Sequence, residues 1–482
     1  MERRETRSVD QGMSSPEICD AGSFKGYARL HWIEAAAKAR PNEKVHALMH
    51  HLSPVNLRRA FRELDGSKAV GIDRVTKQKY AEQLDGNIEK LHGALRGGGW
   101  RPKPSRQVLI PKPQGGTRPL AIGCLEDKLV QTLVARILEA LYEPIFSRHS
   151  YGFRRGKSAH QAVGRLYETI NDRSASSTVV EMDIEKFFDS MDHDWLMQKL
   201  GTRIADPHFL RLIRRLLRNS ILTQAGDIKL SEVGTAQGSP ASPVLANICL
   251  HYLLDEWFQQ HFGDKGRMVR YADDAVFVFA DAATADEFRL ALAARLAEAG
   301  LRLNLDKSGV VPFSKRSPKG NVPFLGFQFY WGRNATGRRT LKLKTQPERL
   351  GRSIQAFKEW VKLVRNRMTL DKLWSRARAK LQGHFNYFGV SYNEAKLNHF
   401  FFACNGLLFR WLNRRSQKRS FTWERYERRL RFSPLPVPPR GAELKDVTSE
   451  RSSSKHQPKS RMRKLRTSGS VRSAGRQRPA FT

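Results

Sequence analysis

The chain has 482 residues, with 85 lysines and arginines against 47 aspartates and glutamates and a formal net charge of +38. That length exceeds what one hydrophobic core usually serves, so two or three domains are expected. The basicity is spread along the chain and points to a polyanionic partner, nucleic acid above all, whose binding should weaken steeply with salt.

The same composition sets several classes aside. No stretch is long and apolar enough to cross a bilayer or act as a signal peptide, and no amphipathic or lipid-attachment pattern favours a membrane. Cys19, Cys124, Cys249 and Cys404 stand far apart, without the paired spacing of a zinc site or a disulfide framework. A soluble protein of the reducing cytoplasm is expected.

In chain order, residues 1–22 are polar, and residues 24–40 read as a helix carrying Tyr27, Leu30 and Trp32. Ser53 and Pro54 supply a cap and a first-turn proline for a helix to about Leu64. Tyr80, Leu84, Ile88, Leu91 and Leu95 then recur at helical spacing until Gly97-Gly98-Gly99. Residues 108–122 hold two short apolar strands around a Gly-rich turn with a cation on each side, Lys112 and Arg118. Backbone amides and paired cations suit a triphosphate, although a plain basic hairpin on the surface would look much the same. Leu129, Leu133, Ile137 and Leu141 mark a helix. The loop at 150–158 then sets Tyr151 and Phe153 among Arg154, Arg155 and Lys157, a mixture that fits a single-stranded template.

Residues 178–182 form a β-rich run ending in Asp183, and residues 268–279 read as a tight hairpin with Asp273 and Asp274 at the bend. Neighbouring residues of a straight strand point to opposite faces, so adjacent carboxylates share one site only where the backbone turns. Like charges this close raise each other's pKa unless a cation is present, and a hard divalent ion takes carboxylate and phosphate oxygens together. A pair of metal ions needs carboxylates converging from separate segments, which makes Asp183, Asp273 and Asp274 the candidate ligands and catalytic acids. Asp189, Asp192 and Asp194 read instead as turn or cap residues. The turn-rich segment 234–243, with Gln237 and Gly238, precedes a helix at 244–258 and can lie under an incoming base pair. A helix at 291–299, a strand at 301–308 with Lys307 near its end, and a strand at 324–329 follow.

From about Leu341 strands give way to helices, with Leu350, Ile354, Phe357, Val361 and Val364 at helical spacing. Residues 374–388 and 400–419 continue the pattern. Their aromatics read as core. Their cations, Arg376, Arg378, Lys380, Arg414, Arg415, Lys418 and Arg419, form a face suited to duplex or folded RNA. From about Gly441 the composition turns to Ser, Arg, Lys, Gln and Gly, and the tail is expected to stay disordered until it meets a polyanion.

The segments Ile110-Pro111-Lys112 onward to Ile122, Ser150-Tyr151-Gly152-Phe153-Arg154, 183–189, Gln237-Gly238-Ser239-Pro240, Tyr271-Ala272-Asp273-Asp274 and Phe324-Leu325-Gly326-Phe327 stand in a familiar order. With them, residues 53–438 resemble the bacterial group II intron-encoded reverse transcriptase/maturase family. The resemblance implies an α+β right-hand polymerase. An N-terminal extension (1–52) would precede fingers and a palm with an antiparallel sheet (53–340), an all-α thumb/maturase domain (341–440) and a disordered basic tail (441–482).

The implied activity is RNA-directed DNA polymerisation, joined to binding of intron RNA and assistance to its splicing and mobility. Intron RNA, a DNA primer or target and deoxynucleoside triphosphates are the implied partners, with the protein on the nucleoid when bound to DNA. Asp183, Asp273 and Asp274 would hold two Mg2+ ions, Lys112 and Arg118 would touch the triphosphate, and Gln237 and Gly238 would support the nucleotide and template base. Lys307 would lie near the site, and Phe188 would crowd a ribose 2′-OH so that deoxynucleotides are preferred. The chain departs from many members at Ala236 and Ser239. The segment after residue 440 lacks the cysteines and histidines of a zinc-type endonuclease, so second-strand cleavage is not expected. Two rivals stand beside this reading. The maturase-like helices argue against a reverse transcriptase of a non-intron bacterial system, and the intact acids argue against an RNA-binding splicing cofactor without polymerase activity.

Overall fold

The computed structural model describes residues 26–111, 116–172, 177–305, 307–316, 318, 320–415 and 422–439. Eleven strands occur among them, in chain order β1 (Ser105–Pro111), β2 (Thr117–Ile122), β3 (Thr178–Met182), β4 (Ile221–Leu222), β5 (Ile228–Lys229), β6 (Gly266–Tyr271), β7 (Asp274–Phe279), β8 (Val310–Pro312), β9 (Val322–Phe324), β10 (Phe327–Arg333) and β11 (Arg339–Thr345). They form three sheets, β2-β1-β4-β5, β6-β7-β3-β8 and β11-β10-β9. Helices surround them, and the mixed α+β class agrees with the sequence. No helix of the described residues is long and apolar enough to cross a membrane. By contacts the chain divides into residues 1–448 and residues 449–482, and the second unit lies wholly outside the described residues.

The β6-β7-β3-β8 sheet is antiparallel at every ladder and is covered on both faces. Alternation sorts its side chains. Val180, Met182, Met268, Ala275, Phe277 and Phe279 enter one core with the helices Leu125–Tyr142, Ser242–Leu250 and Ala282–Ala297. Val179, Val269, Val276 and Val278 enter a second core with Phe327, Phe329, Leu341 and Leu343 of the third sheet. Helices Pro347–Val364, Leu370–Phe388 and Glu394–Leu412 close that core with Phe357, Trp374, Leu381, Phe385 and Phe400. Burial of such side chains stabilises by about 1.5–3 kcal/mol each, and a slip of one residue would send every one of them to the wrong core. The register of the acid-bearing strands is therefore fixed from both sides.

Several local expectations change in the structure. Residues 301–308 alternate like a strand but keep a single bridge, Ile184 to Leu303, because the segment turns back to hydrogen-bond the end of β3. Residues 324–329 are a hairpin corner between β9 and β10 rather than one strand. β11 carries the β region past Leu341, so helices resume at Pro347. The helix read at 400–419 runs from Glu394 to Leu412, and the one read at 291–299 is the end of Ala282–Ala297. The helix read at 244–258 begins at Ser242, loosens into a π turn at His251–Asp255 and resumes at Glu256. The tail from Gly441, expected from sequence to be disordered, lies outside the described residues.

Candidate active site

The β3–β7 ladder pairs Met182 with Ala275. One step further along this antiparallel pair sets Asp183 across from Asp274, on the face shared by Val276 and Val278. Tyr271 pairs with Asp274, so Ala272 and Asp273 alone make the turn between β6 and β7. Ala272 sits at φ 58, a region that costs a residue with a Cβ and persists only where the surroundings impose it.

Those surroundings are a buried polar network that the sequence reading did not single out. Arg270, wholly buried, donates from Nε and Nη2 to the Asp255 carboxylate at 2.7 and 2.5 Å, and from Nη1 to Asn247 Oδ1 at 3.0 Å and Ala272 O at 2.9 Å. Asn247 Nδ2 in turn donates to Gly152 O at 2.8 Å. Gly152 is pressed so close to the turn that a Cβ there would meet the Ala272 nitrogen at 2.3 Å. The signal for Arg270 was present: a cation one residue from the bend, inside a strand with both faces covered, must be paired.

Asp183 is held from the 301–308 segment. Asn304 Nδ2 donates to its Oδ2 at 2.8 Å, Lys307 Nζ reaches the same oxygen at 3.3 Å, and its amide donates to Ser308 Oγ at 3.1 Å. Asp274 accepts a hydrogen bond from the Leu325 amide. Leu325 and Gly326, at φ 49 and 80, form the two-residue turn between β9 and β10. Two positive φ values in succession make the primed turn that suits the twist of a hairpin. Tyr387, from helix Leu370–Phe388, donates to Leu325 O at 2.9 Å. The C-terminal helices therefore touch the turn that touches the acid.

The acids repel one another. The surrounding protein, and then the Asp183 charge, raise the Asp273 carboxyl, with Arg118 and Arg270 acting in the opposite direction. Crowding by protein and then the Asp273 charge push Asp274 up to about 7. Burial and then Asp274 push Glu181, two residues before Asp183 on the same face, up to about 8. Three hard oxygen donors with this mutual repulsion suit a divalent cation in their chemistry. Among the described residues no three acidic, histidine or cysteine side chains already close into a metal cage.

The other candidates take separate places. Arg118, opposite Ile110 on β2, is exposed and close enough to Asp273 to lower its pKa. Lys112 lies outside the described residues. Gln237 Nε2 donates to Asp189 Oδ1 at 2.9 Å and its carbonyl accepts from the Ala121 amide at 2.9 Å, which ties the 234–243 loop to β2. Phe188 is half-buried against the first core, and its carbonyl accepts from the Thr235 amide. Asp189 is exposed at this contact, and Asp192 caps the helix His193–Gly201 by accepting from the Trp195 amide. A cavity of about 620 Å³ lies beside Gly238, lined also by Lys68, Lys77 and Lys128, and none of the three acids lines it.

The cations proposed for RNA divide. Arg154 is turned inward, with its side chain 5% exposed, bonding the Glu143 carboxylate and the Ser147 and Ser150 carbonyls. Arg155 pairs with Glu139, and Lys157 lies over the Tyr151 ring. Arg376, Arg378, Lys380 and Arg414 are exposed, while Arg415 donates to Met368 O. Lys418 and Arg419 lie outside the described residues.

Comparison with known proteins meets this geometry. Residues 110–329 match the model of the family described as reverse transcriptase (RNA-dependent DNA polymerase), a span that holds Arg118, Gln237 and all three acids. The chain is 41% identical over 186 residues to the uncharacterized 91 kDa protein in the cob intron of Schizosaccharomyces pombe, 38% of this chain and 22% of that protein. It is 34% identical over 189 residues to the group II intron-encoded protein LtrA of Lactococcus lactis subsp. cremoris, 39% of this chain and 30% of that protein. With protein YkfC of Escherichia coli K12 it shares 30% identity over 281 residues, 51% of this chain and 73% of that one. The matched stretches thus span less than a third of the intron-encoded relatives and most of YkfC. The acids at the ends of β3 and β7, the loops around them and these shared sequences place the chain in the reverse transcriptase family, in its group II intron-encoded branch.

Proposed function

We propose that the chain is an RNA-directed DNA polymerase, adding deoxynucleotides to a primer 3′-hydroxyl, and that it binds intron RNA and assists its splicing and mobility. The observation that carries the first half is Asp183 opposite Asp274 with Asp273 beside it in a two-residue turn. On this reading the first two sheets belong to fingers and palm within residues 53–340, and the helices from Pro347 belong to a thumb/maturase domain at 341–440. The basic segment 441–482 serves as a tail that adds to the attraction for polyanions. A cytoplasmic location, on the nucleoid when DNA is bound, goes with this reading.

In-line attack on an α-phosphate needs little covalent help, so positioning and charge carry most of the rate. Two Mg2+ ions held by Asp183, Asp273 and Asp274 would supply the charge that activates the attacking hydroxyl and steadies the leaving pyrophosphate. Asn304 and Lys307 orient Asp183, and the Leu325 amide orients Asp274. Arg118, with Lys112, receives the triphosphate. Gln237 and Gly238 support the base pair, and Phe188 crowds a ribose 2′-OH. The RNA-binding half is supported by the exposed cations Arg376, Arg378, Lys380 and Arg414 and by relatives whose names place them in introns.

Two measurements test the halves separately. Primer extension on an RNA template should proceed with the wild-type chain and vanish with Asp273→Asn while RNA affinity is kept. Purification from the native cell, a moderate salt wash and sequencing of the retained RNA should return one dominant structured RNA surrounding the chain's own reading frame. An unrelated small RNA or a mixture would leave the polymerase without an intron.

A further inference from the structure

The helix Pro207–Leu217 is divided along its length. Phe209, Leu212, Ile213, Leu216 and Leu217 are buried, whereas Arg214 and Arg215 stand three and four residues after Arg211, and Arg218, just past the helix end, stands four and three residues after them. Such intervals place the four guanidinium groups on one face, spanning roughly 10 Å. Arg101 joins them from the segment leading into β1. Arg101 Nη1 and Arg215 Nη1 donate to the same two carbonyls, those of Gly98 and Trp100, at 2.9–3.1 Å. The five arginines line one shallow cleft of about 350 Å³.

This charge is almost unbalanced within the described part of the fold. Among the described residues the only carboxylate in ion-pair reach of the five is Asp194, 3.3 Å from Arg214, and both are largely exposed. Like charges at these intervals destabilise a helix. Burial, followed by the Arg101 and Arg211 charges, pulls the Arg215 guanidinium below its ordinary range. An ordinary solvated face disperses its cations among acids, whereas here they converge on a concave surface, with Arg211, Arg214 and Arg218 exposed and Arg101 and Arg215 braced by the Gly98 and Trp100 carbonyls.

We infer that this cleft is a docking surface for the phosphate backbone of duplex RNA, separate from the nucleotide grip. Guanidinium forks match phosphate oxygens in pairs. No aromatic side chain lines the cleft, which sets aside a single strand, since single strands are gripped by stacking their bases. A duplex offers its backbone and is recognised by shape. The choice of RNA over DNA rests on the intron-RNA reading above. The stripe adjoins the Ser105 end of β1, and Ile110, opposite Arg118, lies toward the other end of that strand, roughly 20 Å away.

The test uses the full chain carrying Arg211→Gln with Arg218→Gln, and a second variant with Arg211→Lys and Arg218→Lys. Glutamine is a good helix former, and its introduction removes repulsion, so the helix is retained. The probes are a fully paired RNA hairpin and a DNA hairpin of the same sequence, titrated across a salt series. The glutamine variant should bind the RNA hairpin at least about tenfold more weakly near 0.1 M salt, with the slope of log K against log salt reduced by about two. The lysine variant should keep most of the slope, and the DNA hairpin should lose less. An unchanged RNA slope, or an equal loss on DNA, would overturn the assignment. Both variants should extend a short primer on an oligonucleotide template at the wild-type rate, and a loss there would place the stripe in the reaction cleft instead. Failure of the wild-type chain itself to extend would refute the polymerase reading alone, leaving the hairpin titration to judge the surface.

Discussion

Gly152 and Ala272 meet backbone to backbone: a Cβ at Gly152 would stand 2.3 Å from the Ala272 nitrogen and 3.0 Å from its Cα. Neither side can withdraw. The Tyr151 amide donates to Arg270 O at 2.8 Å, and Asn247 holds the Gly152 carbonyl at the same distance. The loop whose rings and cations suggest template binding thus also braces the turn that carries Asp273.

Gly152→Ala is therefore expected to displace that turn. Overpacking against backbone costs about 1–3 kcal/mol of stability. Misplacement of a reacting group by about 1 Å costs on the order of a hundredfold in rate. Primer extension should fall by about that factor while the chain still melts cooperatively. A wild-type rate would show that the turn has room the geometry denies it.

The buried pair of Arg270 and Asp255 yields a second expectation. Removing one partner of such a pair leaves a charge without water or counterion, at a cost of about 3–5 kcal/mol. Asp255→Asn should accordingly lower stability by about that amount. Arg270→Lys should fare little better, because a point charge cannot hold Asp255, Asn247 and the Ala272 carbonyl together. Denaturant unfolding of both variants, with urea midpoints and slopes compared, measures the loss. A change below about 1 kcal/mol in each would mean the network does not hold the turn.

Glu181 makes the stability of the metal-free protein depend on pH. Its carboxyl is pushed from an ordinary 4.5 up to about 8, so the folded chain holds a proton that the unfolded chain releases. Between those values the folded state binds more protons, and its stability falls as pH rises, with the loss complete above about 8. Asp274, raised to about 7, adds a decline of the same sign. Glu181→Gln removes the first contribution. The melting temperature of the wild type should drop relative to the variant between about pH 5 and about pH 8 in chelator, by about a degree or two. Parallel curves would count against a half-buried, ionising Glu181.

The acids are legible in the sequence because two strong signals meet there: β-rich apolar runs and carboxylates at their ends. The parts that hold the acids are less so. Residues 301–308 alternate like a strand, yet Asn304, Lys307 and Ser308 spend their hydrogen bonds on Asp183, a partner more than a hundred residues earlier. Leu325 at φ 49 contradicts its local preference, so only Gly326 marks the corner. Arg154 reads as a free cation until Glu143 and two carbonyls are found around it. In each case a distant group decides what a local pattern leaves open. The mixed α+β class, which depends on the patterns themselves, is readable from the start.

Tyr387 joins the C-terminal helices to the chemistry through one hydrogen bond, from its hydroxyl to Leu325 O at 2.9 Å. The Leu325 amide meets Asp274, so the turn is fixed on one side by a helix of the second core and on the other by an acid. Tyr387→Phe deletes the hydroxyl but keeps the ring, which stacks on Phe327 and meets Phe388 edge-on. A hydrogen bond of this kind contributes about 0.5–1.5 kcal/mol, so the global fold should be nearly unchanged. If the turn positions Asp274, the same energy appears in the transition state, and kcat should fall roughly three- to tenfold with KM for the nucleotide unaltered. A purely structural tyrosine would lower the melting temperature and leave kcat alone. Steady-state extension and melting on the same preparation distinguish the two, and the second pattern would remove Tyr387 from the positioning of the acid.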